Sequence, residues 1–337
     1  MTEPGSASGP GGVGAGRPKR LLTRRRVLLG LGGVAGAGVL GTGGFLLTDR
    51  YRRFVRRADH RIPDHRVDLP ASVPRIVIAR GVDPARNVRA AVERLGGMAR
   101  FVGPGDVVVV KPNVGWERTP EQGANTHPEV VAEVVRLCRE ARASRVVVSD
   151  CPVRRSRGAF ERSGILVAAS AAGAEVVLPE ESRYVPVEVS KRLGTWDVLE
   201  PFVVATKLIN VPVAKHHDLT GVTCGLKNWI GITGKLRVMF HDDIQRSIAE
   251  LAALMRPTLT VVDASRVLMH HGPVGGSLDD VKPVRAVAAG LDPVALDAWA
   301  CSLFAGQPLP GNLHLAASMG LGQVDFTALG PVEVLAG

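Results

Sequence analysis

Residues 215–229 concentrate most of the reactive side chains of this sequence. The run Lys215-His216-His217-Asp218-Leu219-Thr220-Gly221-Val222-Thr223-Cys224-Gly225-Leu226-Lys227-Asn228-Trp229 holds two lysines, two histidines, an aspartate and a cysteine, and His241-Asp242-Asp243 follows. Such a stretch can cradle an anion with backbone N–H groups and lysine charge, supply ligands to a metal, or place a general base beside a substrate. The plain alternative is a solvated loop, with Asp242 capping the next helix. The small and apolar run Gly221-Val222-Thr223-Cys224-Gly225 argues against solvation alone. His216 and His217 are adjacent rather than four apart, so they cannot chelate from one helix face, and a metal needs ligands from elsewhere in the chain.

The ends of apolar runs are where such partners stand. Residues 107–110 lead into Lys111-Pro112-Asn113, residues 146–148 into Ser149-Asp150-Cys151, residues 208–212 toward Lys215, and Val261-Val262 into Asp263. Asp and Asn end strands routinely through turn chemistry, but four polar endings, two of them with lysine, favour one shared polar site. The expected site uses Lys111, Asn113, Thr126, Lys227 and Asn228 to hold a small anionic ligand. His216, His241 and Lys215 are the candidates for catalysis, and Asp150, Cys151, His216, Cys224 and Asp263 the candidate metal ligands.

The elements that must position these groups alternate. Residues 75–79, 106–110, 145–149, 175–178 and 259–263 read as strands, being short, β-branched and bounded by turn or charged residues. Residues 87–95, 128–143, 159–172, 243–255 and 293–303 carry apolar residues at helical spacing. This alternation predicts an α/β fold with a largely parallel sheet and helices on both faces, preceded by a signal or anchor helix. In such sheets ligands bind at the carboxyl ends of the strands. The expected organisation is a signal or anchor over 1–48, a linker over 49–73 and the α/β domain over 74–337.

Net charge is +10, yet residues 1–60 hold 11 of the 42 Lys and Arg and only 3 of the 32 Asp and Glu. The remaining chain is nearly neutral and only 4% aromatic, which speaks against nucleic-acid binding. Thr23-Arg24-Arg25-Arg26-Val27-Leu28-Leu29, followed by a glycine-rich run without charge until Asp49, resembles a twin-arginine export signal. The run is also about long enough to span a bilayer. No small-residue cleavage motif follows Leu47, so a released body and one tethered to the cytoplasmic membrane both remain open. The expected partner is the twin-arginine translocase. Gly30-Leu31-Gly32-Gly33-Val34-Ala35 matches a dinucleotide fingerprint only in letters, because it lies inside that signal.

Lys111-Pro112-Asn113, Thr126-His127-Pro128, Ser149-Asp150, Asn210-Val211-Pro212-Val213-Ala214-Lys215-His216, Gly221 through Asn228, His241-Asp242, Val262-Asp263, Gly272-Pro273 and Asp292-Pro293-Val294-Ala295-Leu296-Asp297 occur in this order. Together they resemble the DUF362 family, a domain of unknown function, over about residues 75–305. Some members of that family carry a ferredoxin-like segment, so the resemblance implies an iron–sulfur role. This sequence lacks the C-x-x-C-x-x-C run on which that role depends. A twin-arginine route carries folded proteins, often with a cofactor inserted, and so the resemblance keeps a metal or cluster in view.

Cys138 lies on the apolar side of its helix and Cys301 within another, so both read as small core residues. Cys151 and Cys224 stand at a strand end and in the polar stretch, where an oxidising compartment would permit a disulfide. Two functions follow. In one, an exported enzyme holds an anionic substrate with lysines and amides, and depends on a metal or cofactor or on neither. In the other, the domain is a non-catalytic ligand-binding or iron–sulfur electron-transfer module.

Overall fold

A computed structural model describes residues 60–234 and 237–337. The export-signal and anchor readings lie outside the described residues. Among the described residues no helix is long and apolar enough to cross a membrane.

The strands are β1 (Ile76–Arg80), β2 (Val107–Pro112), β3 (Arg145–Ser149), β4 (Glu175–Val177), β5 (Tyr184–Ser190), β6 (Gly194–Leu199), β7 (Lys207–Val211), β8 (Val213–His217), β9 (Gly221–Thr223), β10 (Leu259–Leu268), β11 (Val281–Gly290) and β12 (Val332–Leu335). The α-helices are α1 (Pro84–Arg94), α2 (Pro128–Glu140), α3 (Ser156–Arg162), α4 (Ile165–Ala171), α5 (Glu200–Val204), α6 (Gly225–Asn228), α7 (Ile244–Met255), α8 (Pro293–Ser302) and α9 (Gly311–Ser318). The main sheet runs β12-β1-β11-β10-β7-β2-β3-β4. All neighbours along it are parallel except where β11 lies antiparallel between β1 and β10.

Alternation along the strands divides the apolar side chains between two cores. Val108, Val110, Val146, Val148 and Ile209 pack with residues of α1, α2, α3 and α4. Val109, Val147, Leu208 and Val262 face the opposite way, toward α7, α8 and α9. The α/β fold with a mostly parallel sheet flanked by helices is therefore as expected. Lys111 has the parity of Val109, and Asn210 that of Leu208, so both point to the second face. They stand opposite one another in the β2–β7 ladder.

β7 and β8 are one polypeptide run bent at Pro212. The first half pairs with the start of β10 and the second with its end, which carries Lys215 beyond the level where β2 and β3 stop. β9 folds back antiparallel on β8 and sets Thr223 opposite Lys215.

Several local expectations are corrected. The helix expected over 159–172 is two, separated at Gly164, whose φ of 74° no helix interior accepts. The cap of α7 is Asp243 rather than Asp242, its carboxylate accepting from Arg246 N–H. Packing begins before residue 74: Ile62, His65 and Leu69 are buried, and the backbone of His65 is bonded to Arg256 and to the Thr258 hydroxyl.

Candidate functional site: a lysine and amide cluster at the strand ends

Lys111, at the end of β2, is completely buried. Its ammonium donates to Asp150 Oδ1 at 2.7 Å, to Asn228 Oδ1 at 2.9 Å and to the Pro112 carbonyl at 2.9 Å. Three donors meet three acceptors, so nothing is left for a ligand. Expected as a ligand contact, Lys111 is a brace. Asp150 is engaged through both oxygens, which accept from Lys111, Val114 N–H and Cys151 N–H. Gly231 permits this pairing, because a Cβ there would collide with Asp150 Oδ1.

Asn228 is the hub. Its Oδ1 accepts from Lys111 and from Asn113 Nδ2 at 3.0 Å, while its Nδ2 donates to Asn210 Oδ1 at 2.8 Å. Asn113 passes the network on, since its Oδ1 accepts from Lys215 Nζ at 2.8 Å. The result is one chain of hydrogen bonds, Asp150–Lys111–Asn228–Asn113–Lys215, drawn from the ends of three strands, β2, β3 and β8, and from α6. Thr126 anchors the loop that carries Asn113, accepting from its backbone N–H and donating to the Val211 carbonyl.

Lys215 differs from Lys111 in one decisive respect. Its amine donates to Asn113 Oδ1 and to the Ala124 carbonyl, both uncharged, and meets no carboxylate. Burial, followed by the charge of Lys227, pushes its pKa down to about 7. A Cβ on half-buried Gly115 would find nothing nearer than Asn113 Oδ1 at 3.8 Å and Lys215 Nζ at 4.0 Å. The amine therefore lies beneath an uncrowded patch of backbone. Lys227, on α6, is half-buried and has no hydrogen-bond or ion-pair partner among the described residues. Burial pushes its pKa down to about 8.

Around these amines stand two groups that the expected site did not include. His217 shares a face of β8 with Lys215, and burial together with the charges of Lys227, Lys215, His216 and His241 pushes its pKa to about 3, so it is neutral. The Thr223 hydroxyl is buried and makes no hydrogen bond. Thr223 stands opposite Lys215 in the β8–β9 ladder.

Asp297 positions the same region from behind. Its carboxylate accepts from Gly225 N–H at 2.7 Å and Leu226 N–H at 2.9 Å, fixing the start of the turn that carries Lys227 and Asn228. Burial raises its pKa to about 7. Its signal in the sequence was an acid amid the apolar residues of α8, where an unpaired carboxylate would be costly.

The other expected site residues lie apart from this cluster. His216 is on the opposite face of β8, where Nδ1 accepts from Gly272 N–H at 3.2 Å. His241 is exposed and makes no hydrogen bond to the cluster among the described residues. Asp263, within β10, has both oxygens engaged, accepting from His127 N–H, Ser265 N–H and the Ser265 hydroxyl. Cys151 meets the Tyr184 hydroxyl at 3.1 Å, and Cys224 lies beside Asp297 and Cys301. Asp150, Cys151, His216, Cys224 and Asp263 thus do not form a ligand set. Among the described residues no three His, Cys, Asp or Glu side chains converge as a metal group, and the residues present do not fit a metal or an iron–sulfur cluster. All four cysteines are free and buried, so Cys151 and Cys224 form no disulfide.

Fold and site together define an α/β protein with a cluster of lysines and amides at the carboxyl edge of a mostly parallel sheet. More particularly, the chain belongs to the family described as "Domain of unknown function (DUF362)", whose model matches residues 108–302. It is 31% identical over 220 residues to a thylakoid-associated protein of Synechocystis sp., a match covering 63% of this chain and 67% of that protein. Among solved structures, the lactate racemase apoprotein from Thermoanaerobacterium thermosaccharolyticum superposes with a TM-score of 0.39 at 15% identity. That match covers 70% of this chain and 58% of that one, a likeness too distant to bear on activity.

Proposed function

We propose that this protein binds a small anionic molecule at the carboxyl edge of β2, β3 and β8, with Lys215 as the main cationic contact. The observation that carries this reading is the contrast between lysines. Lys111 bonds directly to a carboxylate, whereas Lys215 and Lys227 are largely withdrawn from water with none in contact, Lys215 feeling Asp150 only at a distance. Burying cationic groups without counter-charge is expensive, and a bound anion removes that cost. The second amide hydrogen of Asn113 and the Thr223 hydroxyl supply uncharged donors beside the amines. Calorimetric titration at about pH 6.5 with acetate, pyruvate and phosphate tests the reading. Saturable binding of at least one is expected, weakened about 10–100-fold in Lys215→Met, the range for a hydrogen bond to a charged group. Wild-type protein that binds none of the three would overturn it.

We further propose that the chain works outside the cytoplasm after passage through the twin-arginine translocase. The support is the Arg24-Arg25-Arg26 sequence ahead of an uncharged glycine-rich run. Replacing Arg25 and Arg26 by lysine is expected to retain the protein in the cytoplasmic fraction. An unchanged distribution would exclude that route, and the N-terminal mass of exported protein tells a tethered chain from a released one.

A further inference from the structure

We propose that residues 60–70 form a strap that acid releases from the domain, with His65 as its latch. Residues 61–70 adopt neither helix nor strand, and only three of their side chains are buried. Ile62 belongs to the core toward α7 and α8, Leu69 to the core toward α1 and α2, and His65 stands between them. The strap thus passes from one face of the main sheet to the other. It crosses at the amino ends of β7 and β10. There the His65 N–H donates to the Arg256 carbonyl at 3.2 Å, the His65 carbonyl accepts from the Thr258 hydroxyl at 2.9 Å, and ring Nδ1 meets the Thr206 carbonyl at 3.2 Å. This edge is opposite to that of the lysine cluster, and the strap owes nothing to an anion bound there.

The ring makes the latch sensitive to protons. A carbonyl only accepts, so Nδ1 carries the hydrogen of the neutral ring and Nε2 keeps a lone pair. Nε2 is buried and has no hydrogen-bond partner among the described residues. A neutral imidazole tolerates that position, whereas protonation puts an N–H and a positive charge where no acceptor stands. The surrounding charges give little relief. Asp64, on the strap, is shared between Arg66 at 2.6 Å and Arg256 at 3.1 Å. Lys207, at the start of β7, adds a like charge, and Asp106, ahead of β2, accepts from the Thr206 hydroxyl at 2.8 Å. Burial holds the His65 pKa below its ordinary 6.5, with Lys207 acting in the same sense and the Thr206 carbonyl and Asp64 against it.

On a released strap the ring is hydrated and titrates at its ordinary value, so protons favour release. The latch is at full strength above about pH 6.5 and weakens by up to about tenfold for each unit below it, until the folded pKa is passed. Release bares Ile62 and Leu69 and lengthens the link between the first 59 residues and β1 by up to roughly 30 Å of extended chain.

The test is electron paramagnetic resonance on the full chain with one nitroxide at Asp68→Cys, an exposed strap position, the four native thiols being buried. The label is expected to be restricted at pH 7.5. A mobile fraction should grow by up to about tenfold per unit below pH 6.5, while circular dichroism shows the sheet intact. In His65→Gln and His65→Phe, which fill the place of the ring without titrating, the spectrum should not change over this range, and either variant suffices if the other folds poorly. Equal wild-type spectra at pH 7.5 and pH 5 overturn the latch. A mobile fraction that grows alike in the variants assigns release to another group and overturns it too, as does one that appears only when the whole domain unfolds.

Discussion

Asp150→Asn is expected to destabilise the folded chain by about 3–5 kcal/mol, the range for removing one partner of a buried ion pair. Lys111 is completely buried and Asp150 nearly so, and they meet at 2.7 Å. Asparagine keeps the size of the side chain but turns one of its oxygens into a donor. That donor must face either the Lys111 ammonium or the backbone N–H groups of Val114 and Cys151, all of which also donate. Urea denaturation reads the loss directly. Lys111→Met combined with Asp150→Leu should recover much of it, because removing both charges spares the desolvation of either. A single-variant loss below about 1 kcal/mol would show that the lysine finds adequate neutral partners in Asn228 and Pro112.

The second large effect is a pair of opposed pH dependences. Lys215 titrates near 7 and Lys227 near 8, both depressed first by burial, from an ordinary value of 10.5. A bound anion favours the charged amines, so affinity should be greatest below pH 7 and fall as pH rises. Lys215 alone should weaken binding about a hundredfold between pH 6 and pH 9, tenfold for each unit above its pKa. Stability of the unliganded fold should move the other way. In the unfolded chain these lysines keep their protons up to their ordinary value, so between about pH 7 and pH 10 the unfolded state binds more protons and stability rises with pH. The destabilisation is fully present below pH 7 and vanishes above the ordinary lysine value. Lys215→Met should therefore stabilise the protein at pH 6, leave it nearly unchanged at pH 10, and flatten the binding profile. An affinity that does not vary between pH 6 and pH 9 would mean that the amines keep ordinary pKa values.

Much of the sheet was legible because its central strands are buried on both faces and written in valine. β2, β3 and the start of β10 are continuous β-branched runs of the kind only a parallel interior strand requires. β11 escaped notice for the opposite reason. Ala286, Ala288, Ala289 and Gly290 have little intrinsic strand preference, and tertiary context alone places them between β1 and β10. The hairpin β5–β6 does alternate, Val185, Val187 and Val189 against Pro186 and Glu188, but proline and charge obscure the signal. β8 reads as a polar loop in sequence, since Lys215 and His217 occupy positions that a strand normally fills with apolar groups.

For the site, strand endings located Lys111, Asn113, Asp150 and Lys215, and local density located Lys227 and Asn228. Sequence could not assign their roles. Whether a lysine is a brace or a ligand contact depends on the acceptors it meets across the fold, and residue type carries no trace of that. His216 drew attention over His217 by its motif, although only the register of β8 decides which of two adjacent histidines faces Lys215.

The hydrogen-bond chain from Asp150 to Lys215 has a consequence for how the protein is made. Its links join residues 39, 117, 115 and 102 positions apart. None of them can form during local helix or hairpin closure: the Asp150–Lys111 link needs β2 and β3 paired, and the other three need α6 or β8 docked against the end of β2. The complete cluster is thus expected only after these long-range contacts of the sheet have formed. Before that moment Lys111, Lys215 and Lys227 are exposed and ordinarily basic, so a partly folded chain bears surface charge that the native state conceals. A nascent or trapped intermediate would differ from the finished molecule in its lysine reactivity, and amine-specific labelling during refolding would report when the last links close.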